Sequence, residues 1–138
     1  MINIKLAASS ANIGIGFDSI ALALDLYNEF GFETSTKFKL IGFDESFDNE
    51  DNLIVKSYHA FASEFLNKDK IIPVSVTLID NQIPISRGLG SSSTCILAGV
   101  IAANEIHNLN KSFLGFVSLS FPLKEISSTF SLSTFVTL

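Results

Sequence analysis

Several short stretches of the chain alternate between apolar and polar residues, and this alternation predicts strands. Residues 2–6, 24–29 and 74–78 all follow the pattern. Successive side chains of a strand point to opposite faces, so each stretch predicts a strand with one buried face. The run KFKLIGF at 37–43 is a further, shorter strand candidate, and residues 17–23 could instead begin a short helix.

Two other stretches have the spacing of helices. Ile54, Tyr58, Phe61 and Phe65 fall at i, i+4, i+7 and i+11, which is one face of an amphipathic helix. From about Ser92 to Glu105 the residues are largely apolar, which predicts a buried helix. Strands and helices mixed in this order predict an α+β or α/β domain.

Composition narrows the class of protein. The chain has 138 residues, 47% of them apolar and 17% charged, which predicts one folded domain. Its net charge of -5 argues against a nucleic-acid partner, since such partners favour a basic surface. The one cysteine, Cys95, cannot form an internal disulfide, and no secretory signal or membrane-length apolar run is visible. We therefore expect a cytoplasmic protein with neither a membrane nor a nucleic-acid partner.

The stretch SRGLGSSST, residues 86–94, stands between a strand-like run and a helix-like run. Glycines let backbone N–H groups converge on one point, and a helix that follows adds its unpaired N–H groups and positive dipole end. The serine hydroxyls could bind phosphate oxygens or a magnesium ion, and Arg87 could add a charge. The stretch therefore predicts a phosphate-binding loop, with a glycine-rich connection capped by serines as the alternative.

Two common phosphate motifs do not fit this loop. A P-loop requires lysine after its last glycine, whereas Gly90 is followed by Ser91. A dinucleotide-binding fingerprint requires a third glycine where this chain has Ser93. The stretch GIGFDS in the first glycine-containing loop fails in the same way, because Ser19 stands at the required place.

That first loop, SSANIGIGFDS, contains two polar side chains among small residues. Asn12 offers an amide and Asp18 a carboxylate. A carboxylate beside a small-residue loop could bind a substrate ammonium group through a charge-assisted hydrogen bond. By local chemistry alone, Asp18 could equally cap a helix while Asn12 closes a turn.

Taken together, SSANIGIGFDSIALAL and IPISRGLGSSSTCILAGVIAANE resemble the first and second motifs of the GHMP small-molecule kinases. The first motif is similar to that of the homoserine kinase family in particular. The resemblance covers about residues 1–111. It implies an α+β fold, the ribosomal-protein-S5-like N-terminal domain of the GHMP kinases, with a mixed sheet and helices on one face.

The resemblance also implies a reaction. Homoserine kinases transfer the γ-phosphoryl group of ATP to the hydroxyl of L-homoserine, on the route to threonine, and use Mg²⁺. Asn12 and Asp18 would hold the amino acid, with Asp18 at its ammonium group, and Ser92 would approach the metal. The residues wrapping ATP would be Pro84, Ile85, Ser86, Arg87, Gly88, Leu89, Gly90, Ser91, Ser92, Ser93 and Thr94.

The chain departs from the family pattern in three respects. Ile15 stands where the family usually has proline. The family's Glu-Gly-His-Pro-Asp-Asn segment is not found, nor are its third motif and C-terminal domain. The segment 113–138 is rich in Phe, Ser and Leu and unlike the family, which predicts a domain over 1–112 followed by a foreign tail.

These departures predict a product that is truncated or frameshifted after about residue 112, keeps the ATP loop and lacks kinase activity. A coupled ADP-release assay with homoserine would measure that activity. Apolar surface left uncovered predicts a homodimer or other self-association. Two further readings stay open: a non-catalytic nucleotide-binding or interaction fragment, and another GHMP kinase. The pair Asn12 and Asp18 favours homoserine, because a sugar or isoprenoid substrate does not need an ammonium-binding carboxylate.

Overall fold

The computed structural model describes residues 1–10 and 22–111, which form a mixed four-stranded sheet with two α-helices. The strand order is β1-β2-β4-β3, with β3 and β4 parallel and the other pairs antiparallel. In chain order the elements are β1 (Ile2–Ser10), β2 (Leu22–Thr34), β3 (Lys39–Ile41), α1 (Leu53–Ser63), a 3-10 helix (Lys68–Lys70), β4 (Val74–Asn81) and α2 (Ser91–Ile106).

The strands and helices predicted from the residue pattern are present, with different ends. Strands β1, β2 and β4 all extend beyond the alternating stretches that predict them, whereas β3 has only three residues. Phe65 lies past the end of α1, although its ring still packs against Phe61 with 5.3 Å between centroids. Most of the ambiguous stretch 17–23 and all of the predicted tail 113–138 lie outside the described residues.

One face of the sheet forms the core, and both helices cover it. The register places Ile4 beside Phe30 and Phe30 beside Leu78, so apolar side chains of three strands share that face. The predicted α+β class, a mixed sheet with helices on one face, is confirmed. The buried core consists mainly of Ile4, Leu6, Phe30, Phe32, Val74 and Val76 from the sheet, Ile54, Tyr58 and Phe61 from α1, and Ala98, Val100, Ala102 and Ala103 from α2.

The opposite face of the sheet is more polar and more exposed. The ammonium of Lys5 lies 4.5 Å from the centroid of the Tyr27 ring, a cation–π contact at the surface. Ile79 on this face is 44% exposed. In the part of the chain that the structure describes, neither helix has the length and apolar character needed to span a bilayer.

Helices α1 and α2 approach each other closely at Gly99. A methyl group at Gly99 would overlap the Ser57 hydroxyl and the Ile54 carbonyl oxygen, and would lie 3.0 Å from the backbone nitrogen of Tyr58. Ser57 is fully buried, and its hydroxyl already donates to the Ile54 carbonyl at 3.1 Å. The two helices therefore have no free space for a side chain at this contact.

We expect Gly99→Ala to lower the free energy of unfolding by about 2 kcal/mol, because overpacking a helix contact outweighs the gain in helix propensity. Gly31→Ala is the matched control, since its methyl would meet only the flexible ends of Met1 and Ile79. Urea unfolding followed by circular dichroism measures both variants. Equal stability of the two would contradict a close backbone contact at Gly99.

Candidate functional site

The connection from β4 to α2 contains three residues in the left-handed backbone region. Ser86 has φ 59°, Gly88 φ 70° and Gly90 φ 78°. Gly90 is the N-cap of α2, and it offers no side chain to cap the helix. The serine caps of the alternative reading are therefore absent at this position, and two of the three left-handed positions have the residue that adopts them without steric cost.

The first turn of α2 presents backbone N–H groups without helical acceptors. The first i→i−4 hydrogen bond runs from Thr94 N–H to the Gly90 carbonyl at 3.0 Å. The N–H groups of Ser91, Ser92 and Ser93 precede it, so they have no acceptor within the helix. Together with the positive end of the helix dipole, they form an arrangement suited to binding an anion.

The predicted phosphate-binding loop, residues 84–94, which is called the phosphate loop below, is joined to the end of β1. The Ser9 N–H donates to the Leu89 carbonyl at 3.1 Å, and a Cβ on Gly90 would lie 3.0 Å from the Ser9 hydroxyl oxygen. Ser10 pairs with Leu22 across β1 and β2. The two described ends of the first loop therefore meet beside the phosphate loop, whereas Asn12 and Asp18 themselves lie outside the described residues.

Sequence reasoning missed Asn28, which contacts both ends of the phosphate loop. This side chain in β2 is only 2% exposed and hydrogen-bonds to the Ile83 N–H and to the Thr94 hydroxyl. The sequence does indicate that Asn28 is buried, because it alternates with Phe30 and Phe32 on the core-facing side of the strand. A buried amide at an apolar position requires hydrogen-bonding partners, although the sequence does not say which ones.

A cavity of about 470 Å³ adjoins the start of α2. Its walls come from the sheet, from the first turn of α2 and from the segment 43–53 that precedes and begins α1. The lining is mixed, with aromatic and aliphatic groups beside amides, hydroxyls and carboxylates, as in many small-molecule sites. The lining residues are Asn28, Phe30, Phe43, Asp44, Ser46, Phe47, Asn49, Asp51, Asn52, Leu53, Leu78, Asn81, Ile85, Ser91, Ser92 and Cys95.

The wall of the cavity opposite α2, segment 43–53, is stabilised by hydrogen bonds of its own residues. Asn52 caps α1, accepting from the Ile54 N–H at 2.9 Å while its amide donates to the Phe47 carbonyl at 2.8 Å. Asp51 forms an ion pair with Lys56 at 2.7 Å, and this partner lowers the pKa of the exposed Asp51 carboxyl. The segment 43–53 is thus a structured wall of the cavity.

Cys95 is a poor nucleophile despite its place beside a helix N-terminus. Burial raises the pKa of the thiol to about 11. A thiol of that pKa is almost entirely protonated near neutral pH. The site therefore offers no thiolate for covalent chemistry, and Cys95 acts as a wall of the cavity.

The described residues do not form a metal site by themselves. No group of three or more His, Cys, Asp or Glu side chains in residues 1–10 and 22–111 could hold a metal ion. Ser92, exposed in the first turn of α2, offers a single hydroxyl. Mg²⁺ prefers carboxylates, waters and substrate phosphates, so one hydroxyl fits a minor ligand of a nucleotide-bound ion and not an independent site.

Comparison with known proteins identifies the family to which the chain is similar. The family model described as the GHMP kinases N terminal domain matches residues 52–129. A homoserine kinase of Clostridium botulinum strain Alaska E43 is 50% identical over 108 residues, 77% of this chain and 35% of the relative. A homoserine kinase of Clostridium beijerinckii is 46% identical over 114 residues, 82% of this chain and 37% of the relative.

A solved structure of a proposed homoserine kinase from Listeria monocytogenes superposes with a TM-score of 0.73 at 29% identity, covering 89% of this chain and 43% of that one. The chain thus spans a little over a third of the length of the curated relatives it matches. The family match extends past residue 112, and the predicted boundary there stays a prediction. Because the family model matches more than half of the residues, the chain belongs to the GHMP kinases and contains their N-terminal domain.

Proposed function

We propose that this chain is the nucleotide-binding N-terminal part of a homoserine kinase, with residues 84–94 around the phosphates of ATP. The observation that carries the proposal is the uncapped first turn of α2, directly after a loop with two left-handed glycines. Converging N–H groups at a helix N-terminus bind phosphate without requiring a cluster of cations. The relatives named homoserine kinases, 40–50% identical, support the finer assignment.

The cavity beside α2 provides room for the rest of the nucleotide. Ser91 and Ser92 belong both to the anion-binding turn and to the cavity lining, so a ligand bound at the turn extends directly into the cavity. Phe43, Phe47 and Leu53 give its far wall an apolar surface that suits a flat base. In this arrangement the base lies against the 43–53 wall and the phosphates lie at α2.

The amino-acid substrate is assigned to the first loop. Asn12 and Asp18 would bind L-homoserine, with the Asp18 carboxylate at the ammonium group. The proximity of Ser10 and Leu22 to the phosphate loop supports this arrangement, because it places both ends of that segment beside the phosphates. Phosphoryl transfer depends mainly on such positioning and on charge stabilisation. Mg²⁺ would come with the nucleotide and add charge neutralisation, and Ser92 is the residue proposed to approach it.

The setting of the reaction is part of the same proposal. O-phospho-L-homoserine formed from ATP and homoserine would serve threonine biosynthesis in the cytoplasm. The activity belongs to the proposal for the whole protein, since this chain spans about 35% of the relative from C. botulinum. Nucleotide binding is the part of the proposal that the chain itself can be tested for.

Arg87 provides a test of phosphate binding at the loop. It is exposed, and the ion pair found within residues 1–10 and 22–111 involves other side chains. We expect Arg87→Gln to weaken ATP binding roughly fivefold and adenosine binding hardly at all, because only the phosphates attract the charge. Isothermal titration calorimetry with both ligands measures the difference.

Lys70→Gln is the matched control for that measurement. It removes the same unit of charge from an exposed residue just before β4, and β4 separates it from the phosphate loop by ~23 Å. We expect ATP affinity within about twofold of the parent chain. Failure of the parent chain to bind ATP, or an equal loss of ATP affinity in both variants, would contradict the assignment of phosphate binding to this loop.

Cys95 provides a second test, since it is the one cysteine in the chain and lines the cavity. With a pKa of about 11, its alkylation by iodoacetamide should be slow at pH 7.5 and rise about tenfold per pH unit up to about pH 10. Bound ATP should slow alkylation further by covering the cavity. Mass spectrometry follows the reaction, and the urea-unfolded chain is the reference. A folded rate at pH 7.5 equal to the unfolded rate would refute a thiol that the fold shields and keeps protonated.

Asp18→Asn tests the substrate assignment. Saturation-transfer NMR on the chain with ATP should detect L-homoserine in preference to 4-hydroxybutanoate, which lacks the ammonium group. The variant should lose this preference by roughly tenfold, because a neutral amide cannot pair with the ammonium, while ATP affinity stays unchanged. Equal signals from homoserine and mevalonate in the parent chain would favour another GHMP kinase.

A further inference from the structure

Asn28 lies in the middle of β2, on the core-facing side of the strand, where its neighbours Phe30 and Phe32 are apolar. Its register partners are Leu6 of β1 on one side and Asn81 of β4 on the other. The side chain is 2% exposed. A buried amide at this position is costly unless its polar atoms are hydrogen-bonded, so its partners explain what the residue contributes.

Those partners are residues at the two ends of the phosphate loop. The Asn28 carbonyl oxygen accepts from the Ile83 N–H at 3.1 Å, directly before the loop begins. The Asn28 amide nitrogen donates to the Thr94 hydroxyl at 3.2 Å, where the loop ends inside the first turns of α2. One side chain therefore sets the separation between the start and the end of the loop.

The donors and acceptors of this cluster can be assigned in one way only. The Thr94 hydroxyl donates its hydrogen to the Ser91 carbonyl at 2.7 Å, so its oxygen must accept from Asn28. The Ile83 N–H can only donate, so it must face the Asn28 carbonyl oxygen. Asparagine supplies one donor and one acceptor in the required directions, which neither aspartate nor leucine does.

The hydrogen bonds continue from the sheet to the anion-binding turn. Asn28 holds Thr94, and Thr94 holds Ser91, the first residue of α2 and one of the residues with a free helical N–H. Buried hydrogen bonds of this kind fix geometry more strongly than exposed ones. The N–H groups of the turn are thereby held in one arrangement before any ligand binds, which lowers the ordering cost of binding.

We propose that Asn28 is a positioning residue for phosphate binding, which acts through Ile83 and Thr94 and touches no phosphate itself. The proposal rests on the proposed nucleotide function and adds a residue from a different strand to it. The proposal predicts that changing Asn28 affects some ligands and not others. Loss of the amide should weaken ligands that bind through the β- and γ-phosphates and leave ligands bound through the base and ribose nearly unchanged.

The test compares four variants of the chain: Asn28→Ala, Thr94→Val, the double variant, and Thr94→Ser, which keeps the hydroxyl. Isothermal titration calorimetry gives the affinities for ATP, ADP and AMP, and circular dichroism gives the folded fraction of each protein. We expect Asn28→Ala and Thr94→Val each to weaken ATP and ADP roughly tenfold and AMP less than twofold. The double variant should lose little more than either single one, and Thr94→Ser should bind within twofold of the parent.

Each outcome supports or overturns the positioning role of Asn28. Variants that unfold more easily but bind ATP normally when folded would reduce Asn28 to a structural residue, as would an equal loss for AMP and ATP. If Asn28→Ala does not fold, Asn28→Leu takes its place, because leucine nearly keeps the volume of asparagine while removing both hydrogen bonds. Absence of ATP binding in the parent chain would overturn the proposed function, whereas parental binding with unaffected variants would overturn only the role of Asn28.

Discussion

Helices α1 and α2 meet at Gly99 with no side chain between them, and the placement of the phosphate loop depends on that contact. Helix α2 packs against Ser57 and Ile54 on one side and against β1 and β2 on the other. These contacts fix the position of its first turn. That position is the end of β1, where Gly90 contacts Ser9. A side chain at Gly99 would separate the helices and shift the whole of α2, because packed cores transmit such displacements and do not absorb them.

The anion-binding turn belongs to an acidic protein, and this limits how it can attract a phosphate. The net charge is -5, and Asp44 and Asp51 line the cavity opposite α2. Attraction over long distances is therefore weak or unfavourable, and the proposed binding would depend on oriented N–H dipoles that act at short range. Under this proposal the geometry of the turn matters more than the number of cations around it.

Local patterns in the sequence predict most of the strands, both helices and the phosphate loop, because each depends on residues near one another in the chain. Val74, Val76 and Leu78 indicate a strand by alternation alone, and the glycines of the loop indicate its backbone. The contacts that assemble the site are not local. Asn28 and Thr94 are 66 residues apart, and the Ser9 to Leu89 hydrogen bond joins residues 80 positions apart. Neither the length of the gaps nor the residue types specify such partners, so these contacts become visible only in the structure.

The bond between Asn28 and Thr94 also constrains how the sequence can change. Replacing Asn28 by an apolar residue leaves the Ile83 N–H without its acceptor and removes the donor to the Thr94 hydroxyl. A second, apolar change at Thr94 removes the hydroxyl but leaves the Ile83 N–H unpaired, so an apolar pair does not restore a satisfied core. Position 28 is therefore constrained more tightly than position 94, because a substitute for Asn28 must accept from a backbone N–H on one side and donate to a hydroxyl on the other.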